Sequence, residues 1–151
     1  MRPAIFTIAF SLLLSVAKAQ SEDTVLTSGG KLKPEQANMD VRHYTIALNI
    51  DFKQRTIEGY TVIDVDMAKP TNVLLFDLMN DYSVHSVLVN GKKQAFDFKH
   101  KLITINMDKE LPAGNASVKV FYGGKPHVAR RPPWDDGFTW TDIPGETNLN
   151  L

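Results

Sequence analysis

Cysteine is absent from the sequence. That excludes disulfides, thiolate nucleophiles and thiolate-ligated zinc, so any folded state rests on packing alone. Excess charge of one sign is missing too: Lys and Arg number 17, Asp and Glu 17, for a formal net charge of zero. A chain so balanced lacks the basic footprint of a nucleic-acid surface or a polybasic membrane patch. There is no G-x-S-x-G nucleophile motif and no phosphate-cradling glycine loop, since Gly29-Gly30 and Gly123-Gly124 are isolated pairs. His43, His85, His100 and His127 are far apart, none belongs to an H-E-x-x-H pattern, and no two stand at metal-ligand spacing. No apolar run reaches the roughly 20 residues that a permanent membrane span needs.

A shorter apolar-rich run does occupy Ala4 to Val16 (AIFTIAFSLLLSV), behind the lone positive charge of Arg2. Ala17-Lys18-Ala19 follows, with small residues where a signal peptidase reads them. A buried helix is the competing reading of such a run. The terminal position, the single leading charge and the Ala-x-Ala favour a signal peptide over residues 1–19, read at Ala17 and Ala19, with Gln20 as the mature start. The expected location is secreted or periplasmic. Loss of Arg2 and Lys18 leaves the mature chain slightly acidic.

Residues 20–39 are polar, carry Ser28-Gly29-Gly30 and Pro34, and show no sustained period, which predicts a flexible leader. The chain then becomes regular. From Asp40 to Met67, Tyr44, Ile46, Leu48 and Ile50 alternate with polar or small residues. Ile57, Thr61, Ile63, Val65 and Met67 then fall on one face of a second segment. Period-two alternation of this kind predicts two half-buried strands, joined as a hairpin by Phe52-Lys-Gln-Arg-Thr56. Gly59 inside the second strand marks a bulge or a close backbone approach. Further strands are expected at Val73–Phe76, Tyr82–Val89, Gln94–Phe98, Leu102–Met107 and Ala116–Tyr122. Asn90-Gly91 supplies the dipeptide favoured where both turn residues need positive φ. With no amphipathic helix after the signal peptide, the fold class is all-β: an antiparallel meander forming a β-sandwich or saddle-like open barrel.

The texture changes after Gly123-Gly124-Lys125-Pro126. His127 to Trp140 (HVARRPPWDDGFTW) is rich in proline and aromatics without a usable period. Pro132, Pro133, Trp134, Phe138 and Trp140 are the candidate docking residues, because aromatic side chains in an irregular segment need a surface to pack on. Asp135-Asp136 suits either a cation or plain turn chemistry beside Gly137, with Arg130-Arg131 as ion-pair partners. Asp64 and Asp66 share a strand face, as an acid/base couple or as a solvated face. Residues 142–151 are polar and without periodicity, and are expected to be disordered. No residue qualifies as catalytic or metal-binding on its own evidence.

One resemblance is specific. Val41-Arg42-His43-Tyr44 with the alternation after it, and Thr56-Ile57-Glu58-Gly59, resemble the opening strands of aminopeptidase N-type zinc metallopeptidases, the gluzincin kind. Val87-Leu88-Val89-Asn90-Gly91 is similar to the family's next signature. Tyr122-Gly123-Gly124-Lys125-Pro126 through Pro132-Pro133-Trp134-Asp135-Asp136-Gly137-Phe138-Thr139-Trp140 resembles the following segment of secreted bacterial members. The likeness covers roughly residues 33–141. It implies an N-terminal β domain over residues 40–126 that packs against a thermolysin-like catalytic domain, with 127–141 as a docking segment. The family's H-E-x-x-H with its downstream glutamate, and its G-x-M-E-N strand, do not occur in this sequence. No catalytic or zinc residue is therefore carried over, and zinc and peptide substrate are expected only with the catalytic domain, the implied partner. The expectation is an inactive N-terminal fragment, diverging from the family pattern after Thr141. The alternative is a stand-alone secreted module that binds carbohydrate or a protein through Trp134, Phe138 and Trp140.

Overall fold

Apolar/polar alternation over six segments and a short continuous apolar run in a seventh, Val73–Phe76, produce seven strands in a computed structural model, which describes residues 31–141. The signal peptide with its site at Ala17, Ala19 and Gln20, the leader as far as Gly30, and the tail 142–151 lie outside the described residues. The strands are β1 (Met39–Asp51), β2 (Thr56–Met67), β3 (Thr71–Asp77), β4 (Tyr82–Val89), β5 (Lys92–Lys99), β6 (Leu102–Leu111) and β7 (Gly114–Gly124). All neighbours are antiparallel, in the order β1-β2-β7-β4-β5-β6-β3, and the sheet curls into an open half-barrel. The all-β expectation holds. The simple meander does not: β7 returns to lie between β2 and β4, and β3 crosses over to pair with β6 at the far edge.

Turn chemistry sets the hairpins. Asn90 (φ 49) and Gly91 (φ 76) join β4 to β5, and His100 (φ 52) and Lys101 (φ 65) join β5 to β6. Two successive positive φ angles match the right-handed twist of the strands they connect. β5 then changes partners along its length. Lys92–Gln94 pair with β4, while Ala95–Lys99 pair with β6. This staggered handover is the corner around which the sheet curls.

The curl brings inward-facing side chains of distant strands together. Val65, Leu74, Val87, Ile105 and Val118 are essentially inaccessible, and Phe96, Phe98 and Phe138 pack against them at the periphery. Gly59 serves close approach, not a bulge. The β1–β2 register is unbroken there, with Leu48 opposite Gly59, and a Cβ would run into the carbonyl oxygen of Ala47.

The last part of the expected leader is built into the fold, which corrects the flexible reading for Pro34–Met39. Pro34–Ala37 forms a helical turn, α1, that packs on β3 and on the start of β1. Pro34 suits the first helical position because its missing N–H has no intrahelical acceptor to lose. The Gln36 amide donates to Asp77 Oδ2 at 2.8 Å. The Asn38 side chain donates to the Lys69 carbonyl and accepts from the Lys69 N–H, clasping the two ends of the β1–β2 hairpin. Among the described residues no helix is long and apolar enough to cross a membrane.

Candidate docking surface

The register of β1 on β2 fixes which way its apolar residues point. Tyr44, Ile46, Leu48 and Ile50 stand opposite Ile63, Thr61, Gly59 and Ile57, so they share the concave, core-facing side. On β2 that side is covered: Ile57 is 3% and Ile63 6% exposed. One strand further out it is bare, with Tyr44 54%, Ile46 61%, Leu48 37% and Ile50 41% exposed. The half-buried strand expected here is thus an apolar face that none of the described residues covers. Large contiguous apolar faces of this kind mark interaction surfaces.

Next to it the concave side opens into a cavity of about 500 Å³, lined by Leu32, Met39, Tyr44, Ile46, Ile63, Phe76 and Tyr122 among others. Its polar lining includes the bonded pairs Gln36–Asp77 and Thr61–Tyr122. The Thr61 and Tyr122 hydroxyls lie 3.1 Å apart, and Tyr82 meets the Tyr122 ring edge-on at 5.6 Å. Burial, then the neighbouring Tyr122 and Asp81, push the Tyr82 phenol above its ordinary 10.0. Such a wall can bind apolar surface.

The aromatic segment divides in two. The Phe138 N–H donates to the His127 carbonyl at 2.7 Å and the Ala129 N–H to the Phe138 carbonyl at 3.0 Å, closing a loop between them. Inside it Asp135 accepts from the Arg130 and Arg131 backbone N–H groups at 2.7 and 2.8 Å. This is turn chemistry of the Asx kind, and it uses both oxygens of the carboxylate that a cation would need. Phe138 and Trp140 fold back on the domain, stacked at 5.8 Å, and Trp140 meets the edge of Phe52 at 6.0 Å. Its buried indole N–H finds no acceptor among the described residues, an arrangement that costs free energy until a carbonyl or water supplies one. Pro132 and Pro133 are exposed at the loop tip, and Trp134 stands out at 88%. The five candidates therefore do not form one cluster. Phe52 was the partner missed, although a phenylalanine in an otherwise polar hairpin loop was a signal for it.

The remaining polar candidates are placed apart. His43 is exposed on β1, His100 lies in a turn, and His127 engages the loop through its carbonyl. His85 Nε2 contacts Glu58 Oε1 at 3.1 Å on the convex side. Gly123 separates their strands, and its lack of a side chain leaves Glu58 room to lie across it. Asp66 pairs with Arg42 at 3.2 Å, and Arg42 with Asp40 at 3.0 Å, all well exposed; these are solvated ion pairs of small energetic weight. No three His, Cys, Asp or Glu side chains converge as metal ligands among the described residues.

No protein-family model and no curated protein matches the chain. Solved structures do. An M1 zinc metallopeptidase from Deinococcus radiodurans, in a mutant bound to a Tyr-Ser-Ala substrate, superposes with a TM-score of 0.55 at 20% identity, over 63% of this chain and 22% of its own. A two-domain M1 zinc metallopeptidase bound to L-arginine gives 0.53 at 17% identity, over 70% and 26%. Native leukotriene A4 hydrolase from Saccharomyces cerevisiae gives 0.50 at 16%, over 58% and 15%. At these identities the likeness is one of fold, and the chain spans about a quarter or less of the length of the chains it matches.

Proposed function

We propose that this chain is the non-catalytic N-terminal β domain of a secreted zinc-dependent aminopeptidase, docking a catalytic domain and shaping one wall of the substrate cleft. The observation that carries the reading is the bare face of Tyr44, Ile46, Leu48 and Ile50, continuous with the core, in a fold similar to part of M1 zinc metallopeptidases. The exposed Trp134 adds a contact that a partner would complete. Secretion rests on Arg2, the Ala4–Val16 run and Ala17-Lys18-Ala19. Zinc and peptide hydrolysis belong, in this reading, to the partner domain, with the zinc polarising the scissile carbonyl there.

The test is the coding sequence beyond the Leu151 codon together with the mass of the natural protein. An H-E-x-x-H and downstream glutamate in the same translated product, well above 16.9 kDa, is the expected result. A natural product of the mass of this chain alone, with no such motif encoded nearby, overturns the proposal. So does metal analysis that finds one tightly held zinc in this chain by itself.

A second reading is a stand-alone module for carbohydrate or a protein partner. One observation favours it: Phe138 and Trp140 pack on the domain itself instead of standing free. Saturable glycan binding that is lost in Trp134→Ala would select it.

A further inference from the structure

We infer that the free edge of β1 pairs with β1 of a second copy, antiparallel about a two-fold axis through Ala47. An edge strand offers a row of unpaired N–H and C=O groups, and proteins that stay monomeric blunt such edges with lysine, proline, a bulge or a cover. In β1 the bulge falls between Val41 and His43, and from there to the turn after Asp51 the strand is regular. Between Tyr44 and Ile50 it carries no charge and no proline, and no described residue other than those of β2 is laddered to it. The opposite edge, β3, has α1 packed against it with Gln36 bonded to Asp77, which disfavours β1–β3 addition and leaves a closed β1–β1 pair as the expected outcome.

The register follows from the length of the regular part. His43 to Asp51 pairs with itself in full only when Ala47 faces Ala47 of the other copy. That places Tyr44 against Ile50 and Ile46 against Leu48 on the concave side, and Thr45 against Asn49 on the convex side. At each end an imidazole, His43, meets a carboxylate, Asp51. Apolar groups therefore meet apolar groups and polar meet polar, the terminal imidazole–carboxylate pairs included. The net charge, zero for the full sequence and slightly negative once Arg2 and Lys18 are removed, puts little long-range repulsion in the way. This goes beyond the docking proposal, which concerns the face of β1 and not its edge; failure of one leaves the other standing.

The absence of native cysteine makes the register readable. In the full chain, Ala47→Cys is expected to cross-link to a covalent dimer under mild oxidation, and Thr45→Cys, whose opposite number is Asn49, about tenfold less. The unaltered chain should approach twice its monomer mass in sedimentation equilibrium below about 1 mM. Thr45→Lys with Asn49→Lys sets like charges opposite each other twice and should weaken the pair about tenfold. Thr45→Lys with Asn49→Glu changes the same exposed positions and should keep it. The inference is overturned by a monomer throughout that range, by equal cross-linking of the two cysteine variants, by equal association of the two charge variants, or by species that grow past the dimer.

Discussion

The two edges of the sheet are made of the same kind of residue and have opposite fates. β3 (TNVLLFD) is short, and Leu74, Leu75 and Phe76 are 0%, 6% and 7% exposed. β1 is nearly twice as long, and its Ile46 is 61% exposed. The curl of the sheet and α1 enclose β3, whereas β1 lies past the last covered strand. Hydrophobicity of a strand therefore reports that something should cover it, not that this chain supplies the cover.

The sharpest test of that contrast truncates one aliphatic side chain on each edge. Leu74→Ala should lower the unfolding free energy by about 3 kcal/mol, through lost transfer energy plus a cavity. Ile46→Ala should change it by less than about 0.5 kcal/mol. Similar urea midpoints for the two variants would mean that β1 is covered in solution. A smaller effect, about 2 kcal/mol, is expected from Gly59→Ala, since a Cβ there meets the Ala47 carbonyl and pushes β1 off β2. Amide exchange should speed up in β1 and stay slow in β3; uniform acceleration would show that the edges unfold as one unit.

Removing the cover of β3 is a milder change. Gln36→Ala deletes the exposed bond to Asp77 and should cost about 0.5 kcal/mol, visible as faster exchange at Leu74–Phe76 with none at Tyr44–Ile50. The smallest effect concerns the covered part of the concave side. Because the folded-state pKa of Tyr82 lies above its ordinary 10.0, the native state keeps its proton where the unfolded chain has begun to lose it. The resulting stability is fully present below pH 10 and declines as pH rises through the folded-state value. Tyr82→Phe should flatten that decline, and an unchanged slope would assign it to other groups.

Much of this was legible in residue order. Alternation, and for β3 the short apolar run Val73–Phe76, located the seven strands, and Asn90-Gly91 located a turn whose φ angles are positive as required. Gly59 was readable as either a bulge or a close approach, and the unbroken register selected the second. Strand order was not, because β7 reaches its place between β2 and β4 through hydrogen bonds that any antiparallel partner could make. How the aromatic segment packs was half legible. The aromatic content of 127–140 announced a need for packing, but whether Phe138 and Trp140 or Trp134 met it on this domain depended on where Phe52 stood.

The sequence by itself determined what is local: strand periodicity, turn conformation, the absence of thiols, and the lack of a zinc-binding motif. These follow from covalent geometry and from residue types a few positions apart. Only the tertiary structure decided which apolar face is covered. That depends on the sum of strand twists around the curl and on the end of the sheet at which each strand finds its partner, and no short window of sequence contains either.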